Sequence, residues 1–185
     1  MLIKPRTFVF ALSMMMLAAF LTAAPVFASE KEDPVDNFKL EAINSDEVFE
    51  LKKDKHPYVA LHFLLKTECP LCLMYTQTYF QNAKEFPNVK HLFIKPDSAD
   101  EIKAWAKKLD VEGEKQPTIF HDPNAKLAKQ YKIPDGYQFH GEEVHYPALI
   151  LLNQEGEEVF RYVGEGTRDR FTFDKFKKKM EEMSS

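Results

Sequence analysis

Cysteine is scarce in this chain: Cys69 and Cys72 are the only two among 185 residues. There is no second C-x-x-C pair, so they supply half of a tetrahedral zinc site. Completing it would fall to His140 and His145, in a stretch that reads as a surface loop. Positive charge is outnumbered by negative. With Lys4 and Arg6 of the leader set aside, 23 basic side chains face 29 acidic ones, a formal charge of −6. That argues against nucleic acid or an anionic membrane surface as a partner. The Lys177-Lys178-Lys179 run does not alter this, because Glu181 and Glu182 follow it and the whole reads as a solvated helix face. Repeats and low-complexity linkers are absent, so one domain is expected.

The first residues bear on the compartment. Lys4 and Arg6 without an acid, the apolar run FVFALSMMMLAAFL, and TAAPVFASE with Val26 and Ala28 at the −3 and −1 places read as a secretory signal peptide, residues 1–28. A second reading is an uncleaved anchor, since Thr7 to Ala24 is an uncharged run of 18 residues, close to spanning length. No cysteine adjoins the cleavage point, which excludes a lipoprotein anchor. On either reading the remainder is expected outside the cytoplasm, secreted or periplasmic, or tethered to a membrane through residues 7–24. Cleavage leaves 157 residues, enough for one domain with a proper core, placed at 34–183.

Beyond the leader, strands and helices alternate. NFKLEAINSDEVFELKK predicts a hairpin, Phe38–Ala42 with Val48–Leu51, about Asn44-Ser45-Asp46. YVALHFLL, Tyr58–Leu65, is an almost unbroken apolar run, the mark of a strand covered on both faces. From Pro70 to about Phe86 the period turns helical, with Leu73, Thr76, Phe80 and Ala83 on one face, and Pro87 stops it. A buried strand (NVKHLFIK), a helix capped by Ser98 (SADEIKAWAKKLD), a strand (PTIFHD) and a short helix with Pro123 early in it (PNAKLAKQYKI) follow. PDGYQFHGEEVH, residues 134–145, reads as a solvated loop, or as a lid that selects partners. PALILLNQEGEEVFRYVG is a second hairpin, strands 148–152 and 157–163 about a turn at Asn153–Gly156, and a helix over about 172–183 closes the chain. The order predicts an α/β fold: a mixed sheet with helices on both faces and an extra N-terminal hairpin. Sites in such sheets form at the carboxyl ends of strands. Cys69 and Cys72 fall there, in the turn that leaves Tyr58–Leu65.

A bridge between Cys69 and Cys72 closes almost no loop, so as a structural disulfide it stabilises little. The spacing points to redox chemistry instead. Cys69 is expected at the helix N-cap and Pro70 at the first helical position, where a missing N–H costs nothing. A thiolate at Cys69 then meets unsatisfied backbone N–H groups and the positive end of the helix dipole. Both favour the anion, which is the nucleophile of disulfide exchange. Cys72, one turn in, is the resolving sulfur. His62 is a candidate proton shuttle to Cys72, or else a histidine satisfied within the sheet. Glu68, if turned toward the sulfur, raises the Cys69 pKa.

C-x-x-C between a buried strand and a helix, followed by HYPALILLNQEGEEVFRYVG with Pro147 opening the terminal hairpin, resembles the thioredoxin-like superfamily. The N-terminal hairpin and PTIFHDPNAKLAKQYKI resemble its redoxin branch, which holds the alkyl hydroperoxide reductase/thiol-specific antioxidant proteins and the extracytoplasmic TlpA-type thiol–disulfide oxidoreductases. The resemblance implies a thioredoxin-like fold and a thiol–disulfide oxidoreductase with catalytic Cys69 and Cys72, no metal and no organic cofactor. It further implies that the Tyr146–Pro147 peptide is cis and lies beside the CPLC motif, with Tyr146 and Pro147 docking the substrate chain. The implied partners are cysteine-containing secreted or membrane proteins and a membrane thiol donor or acceptor.

Two rival functions stay open. Peroxidases of the redoxin branch carry P-x-x-x-T-x-x-C and an arginine near the sulfur. With Cys72 in the reacting place, the threonine and proline places hold Cys69 and Leu65; with Cys69 there, they hold Lys66 and His62. Neither register fits, and Arg161 or Arg168 is the candidate arginine. The other rival is a copper- or zinc-binding chaperone that uses Cys69, Cys72 and His140 or His145.

Overall fold

A computed structural model describes residues 37–66, 69–109 and 116–184; residues 1–28, expected to be a signal peptide, and Thr67 and Glu68 lie outside the described residues. The N-terminal hairpin forms as expected from β1 (Lys39–Ala42) and β2 (Val48–Glu50), with buried Leu40 opposite buried Phe49. Then come β3 (Tyr58–Phe63), α1 (Pro70–Asn82), β4 (Val89–Lys95), α2 (Ala99–Ala106), β5 (Ile119–His121) and α3 (Lys126–Gln130). The chain ends with β6 (Asp135–Phe139), β7 (Glu142–His145), β8 (Ala148–Asn153), β9 (Glu158–Val163) and α4 (Phe173–Met183). The main sheet has seven strands in the order β2-β1-β5-β4-β3-β8-β9. Its centre, β5-β4-β3, is parallel; β1 joins β5 antiparallel and β8 joins β3 antiparallel.

The strand period of two divides the core. Val59, Leu61 and Phe63 of β3 face α3, packing with Leu127 and Ala128, while Ala60 and Leu64 face the side that holds Tyr79, Ile102, Trp105 and Phe176 of α1, α2 and α4. Burying side chains the size of Leu61 or Phe63 contributes about 1.5–3 kcal/mol each. Helices thus cover both faces, the expected thioredoxin-like architecture. Ser98 and Glu101 cap α2 reciprocally: the Ser98 hydroxyl accepts from the Glu101 N–H, and the Glu101 carboxylate accepts from the Ser98 N–H.

Two expectations are corrected. The inward stripe of α1 is Cys72, Thr76 and Tyr79, whereas Leu73, Phe80 and Ala83 are half-buried. Tyr79 takes the interior because its hydroxyl donates to the Phe171 carbonyl at 2.7 Å while its ring meets Phe173 and Phe176 at 5.3 and 5.6 Å. Residues 134–145 are not a loop. β6 and β7 form their own two-stranded sheet, turned by His140 and Gly141 at φ of 49° and 83°. Two successive residues at positive φ match the twist of a tight hairpin.

Candidate active site

α1 begins at the sulfurs. Cys69 is the N-cap, extended at φ −89° and ψ 99°, and Pro70 occupies the first turn. The turn is closed by the Cys69 N–H donating to the Lys66 carbonyl at 3.2 Å and the Cys72 N–H to the Cys69 carbonyl at 3.0 Å. Both thiols are free; Cys69 is half-buried and Cys72 fully buried. Their acidities diverge. A hydrogen bond from the Cys72 thiol lowers Cys69 to about 6 against the opposing effect of burial, with further help from the Arg170 charge. Cys72 is pushed well above the usual thiol range by that same bond and by its burial. The pair is therefore an anion and its proton donor.

Arg170 completes the site. One guanidinium nitrogen donates to Cys69 Sγ at 3.0 Å and to Cys72 Sγ at 3.3 Å. The loop between β9 and α4 is folded to deliver it. Asp169 accepts from the Tyr162 hydroxyl at 2.6 Å and from the Glu165 N–H at 3.0 Å, and the Arg170 guanidinium donates to the Thr167 carbonyl at 2.6 Å. Gly164 is required here, because a Cβ would lie 2.4 Å from the Asp169 carbonyl oxygen. Tyr79 of α1 anchors the next residue, Phe171, through its carbonyl. A second cation lies in the interior. Lys95, fully buried on β4, donates to the Leu65 carbonyl at 2.5 Å, pairs with Asp97 at 3.2 Å and sits 4.5 Å from the Trp105 ring centroid. Its charge adds a smaller push toward the Cys69 thiolate.

The residues singled out from the sequence fare differently. Pro147 stands at the same end of the sheet as Cys69, since Ala148 pairs with Phe63, and it lines a small pocket with Tyr75 and Arg170. The Tyr146–Pro147 peptide is trans, as is every peptide among the described residues, which corrects the cis expectation. The Tyr146 N–H donates to the Pro134 carbonyl at 3.0 Å, its carbonyl accepts from His145 Nδ1 at 2.8 Å, and the Pro147 carbonyl accepts from the Gly164 N–H at 2.9 Å. Those bonds hold this peptide in the form that X–Pro prefers by about 0.5–1 kcal/mol. The Tyr146 ring lies over Gly136, with its hydroxyl donating to the Gly136 carbonyl at 2.9 Å.

His62 is completely buried, and its ring nitrogens meet Tyr75 Oη at 2.8 Å and His91 Nδ1 at 2.9 Å. Burial pushes its pKa well below the usual histidine value, so it stands as a neutral member of an aromatic network behind the helix. Neither expected arginine is the one at the sulfurs. Arg161 is held by Glu158 and the Tyr131 carbonyl, and Arg168 lines the groove beside Cys69. No signal in the sequence distinguished Arg170 from Arg168; only the fold of the Gly164–Asp169 turn does. Among the described residues no group of three or more His, Cys, Asp or Glu side chains is placed to hold a metal ion.

Comparison with known proteins follows from this geometry. The profile of the AhpC/TSA family matches residues 32–159. No curated protein matches the chain. Among solved structures, an exposed lipoprotein thioredoxin of Streptococcus pneumoniae is 22% identical with a TM-score of 0.59, covering 79% of this chain and 98% of its own. The peroxidoxin BcpB of Mycobacterium tuberculosis is 16% identical with a TM-score of 0.65, covering 83% and 97%. The reduced 2-Cys peroxiredoxin of Plasmodium vivax is 20% identical with a TM-score of 0.66, covering 82% and 94%. At such identities the likeness speaks to the fold, and the profile match spans most of the chain: this protein belongs to the AhpC/TSA family of thioredoxin-like redoxins.

Proposed function

We propose that the protein is an extracytoplasmic thiol–disulfide oxidoreductase acting on cysteines of secreted or membrane proteins. The observation that carries this reading is the unequal dithiol held by one guanidinium: Cys69 lowered to about 6, Cys72 raised, and Arg170 donating to both sulfurs. Cys69 Sγ, as thiolate, attacks one sulfur of a partner disulfide; that S–S bond breaks and the expelled sulfur takes a proton from solvent. Cys72 then gives up its proton and attacks Cys69 Sγ, which frees the second partner thiol and leaves a Cys69–Cys72 disulfide. Two electrons pass to the partner. Arg170 serves both steps, because it faces whichever sulfur carries the charge. A membrane thiol donor restores the dithiol, and the same steps in reverse oxidise a partner. The extracytoplasmic setting rests on the leader, residues 1–28. Insulin reduction by the native protein, Cys69→Ser and Cys72→Ser tests the assignment: both variants should lose turnover, and equal activity in all three contradicts it.

A second reading, thiol peroxidase, is favoured by the Arg170 guanidinium at the Cys69 sulfur and by family membership. There the Cys69 thiolate attacks a peroxide oxygen, the O–O bond breaks, and the departing oxygen takes a proton. Cys72 condenses with the resulting sulfenic acid, releasing water and forming the disulfide, and an external dithiol supplies two electrons, itself becoming a disulfide. Stopped-flow oxidation by hydrogen peroxide separates the readings. A rate no faster than that of free cysteine removes the peroxidase.

A further inference from the structure

The β6–β7 hairpin stands outside the main sheet yet is pinned over the β3–α1 turn. Tyr137 Oη accepts from the Lys66 N–H at 3.4 Å, Lys66 pairs with Glu142, and its ammonium lies 6.0 Å from the Phe139 ring centroid. Between this wall and the start of α1 lies a groove of about 560 Å³ that Cys69 lines. Pro70, Leu71, Tyr137 and Phe139 make its sides apolar. Met74, 59% exposed and three residues after Leu71 on the same helical face, extends that apolar surface.

Among the described residues the charge that lines the groove is one-sided. Among its described lining residues the charged groups are Lys66, already paired with Glu142, and Arg168, which is exposed and makes no ion pair with a described residue. A cation that no described carboxylate neutralises, at the edge of an apolar groove beside the nucleophile, calls for a negative group on whatever enters. A half-buried sulfur in the lining of such a groove is reached by an extended chain laid along it.

We propose that this groove docks an extended segment of a protein partner, seating an apolar side chain against Tyr137 and Phe139 and an acidic side chain on Arg168 while Cys69 attacks the neighbouring sulfur. The proposal rests on the dithiol reading and names its substrate class: disulfides flanked by apolar and acidic residues. Small anionic disulfides share part of this chemistry, and the experiment below distinguishes them.

The probes are short peptides with one cysteine capped as a disulfide with 2-mercaptoethanol. Phenylalanine or serine lies next to that cysteine, and glutamate or lysine lies further along. kcat/KM for their reduction is measured at low ionic strength, where exposed charges are least screened. The native protein is expected to favour glutamate over lysine peptides by about fivefold, the size of one exposed ion pair. In Arg168→Glu that preference inverts, and in Phe139→Ser the advantage of phenylalanine over serine disappears. Equal rates on glutamate and lysine peptides overturn the proposal, as does a preference that survives Arg168→Glu, or glutathione disulfide outrunning the best peptide. If the native protein reduces bis(2-hydroxyethyl) disulfide without discriminating among peptides, the docking site falls alone. If it reduces no disulfide, the dithiol reading falls with it.

Discussion

Arg170 donates to Cys69 Sγ at 3.0 Å across 101 positions of sequence. A residue of the last loop thus reaches the first turn of α1 and adds its charge to the Cys72 hydrogen bond in favouring the Cys69 thiolate. The same nitrogen donates to both sulfurs, so its support for a thiolate persists whichever of them is ionised.

Replacing Arg170 with methionine should therefore cut the Cys69 thiolate population near pH 6 by about tenfold, the effect of removing one adjacent cation. Because Arg170 favours the reduced, ionised dithiol, its loss should also move the Cys69–Cys72 couple to a more negative potential, by about 30 mV for each tenfold change in the equilibrium. Arg170→Lys should restore part of both effects. Thiol alkylation against pH and equilibration with a glutathione buffer read the two quantities. Unchanged values in Arg170→Met contradict the assignment of its role.

Stability should fall on acidification in two windows. Burial holds His91 at about 4 and His62 well below the usual value, whereas both titrate near 6.5 once unfolded. The unfolded chain thus binds protons first, and stability present above pH 6.5 is lost as the pH falls toward 4. For His91 alone the loss between pH 7 and 5 is about 2 kcal/mol. Cys69 acts in the same direction at higher pH: its contribution is complete above the unfolded thiol value and declines as the pH falls toward about 6. Urea midpoints between pH 9 and 5 check both windows, and His91→Phe should flatten the lower one.

Gly136→Ala should loosen the hairpin wall. An added Cβ would stand 2.1 Å from the Tyr146 ring, which also donates its hydroxyl to the Gly136 carbonyl. Limited proteolysis should then cut within residues 135–145 several times faster, while Gly136→Ala combined with Tyr146→Ala should be cut no faster than Tyr146→Ala alone. A Gly136→Ala protein as resistant as the native one contradicts this account of the wall.

What the sequence disclosed, and what it hid, divides along a physical line. The central strands were legible because burial on both faces leaves continuous apolar runs, as in YVALHFLL, and the N-cap at Cys69 because Pro70 marks a helix start. The β6–β7 hairpin was not, since the adjacent Glu142 and Glu143 break the alternation; it stands on a tight turn and on tethers to Lys66. The spacing in α1 points to a face of Leu73, Thr76, Phe80 and Ala83, whereas Tyr79 joins Thr76 in the interior because a distant carbonyl accepts its hydroxyl. Arg170 was hidden for the same reason. Its partners lie 98 and 101 positions away, and the turn that aims it is built from hydrogen bonds to Asp169 that leave no periodic trace.

The central claim is that Cys69 is an ionised nucleophile beside a protonated, sheltered Cys72. Iodoacetamide alkylation of the fully reduced native protein, followed against pH and mapped by mass spectrometry, tests it most directly. The account predicts modification at Cys69 with a half-maximal rate near pH 6 and none at Cys72 until far higher pH. Equal labelling of both cysteines, with a midpoint at the ordinary thiol value, would contradict it.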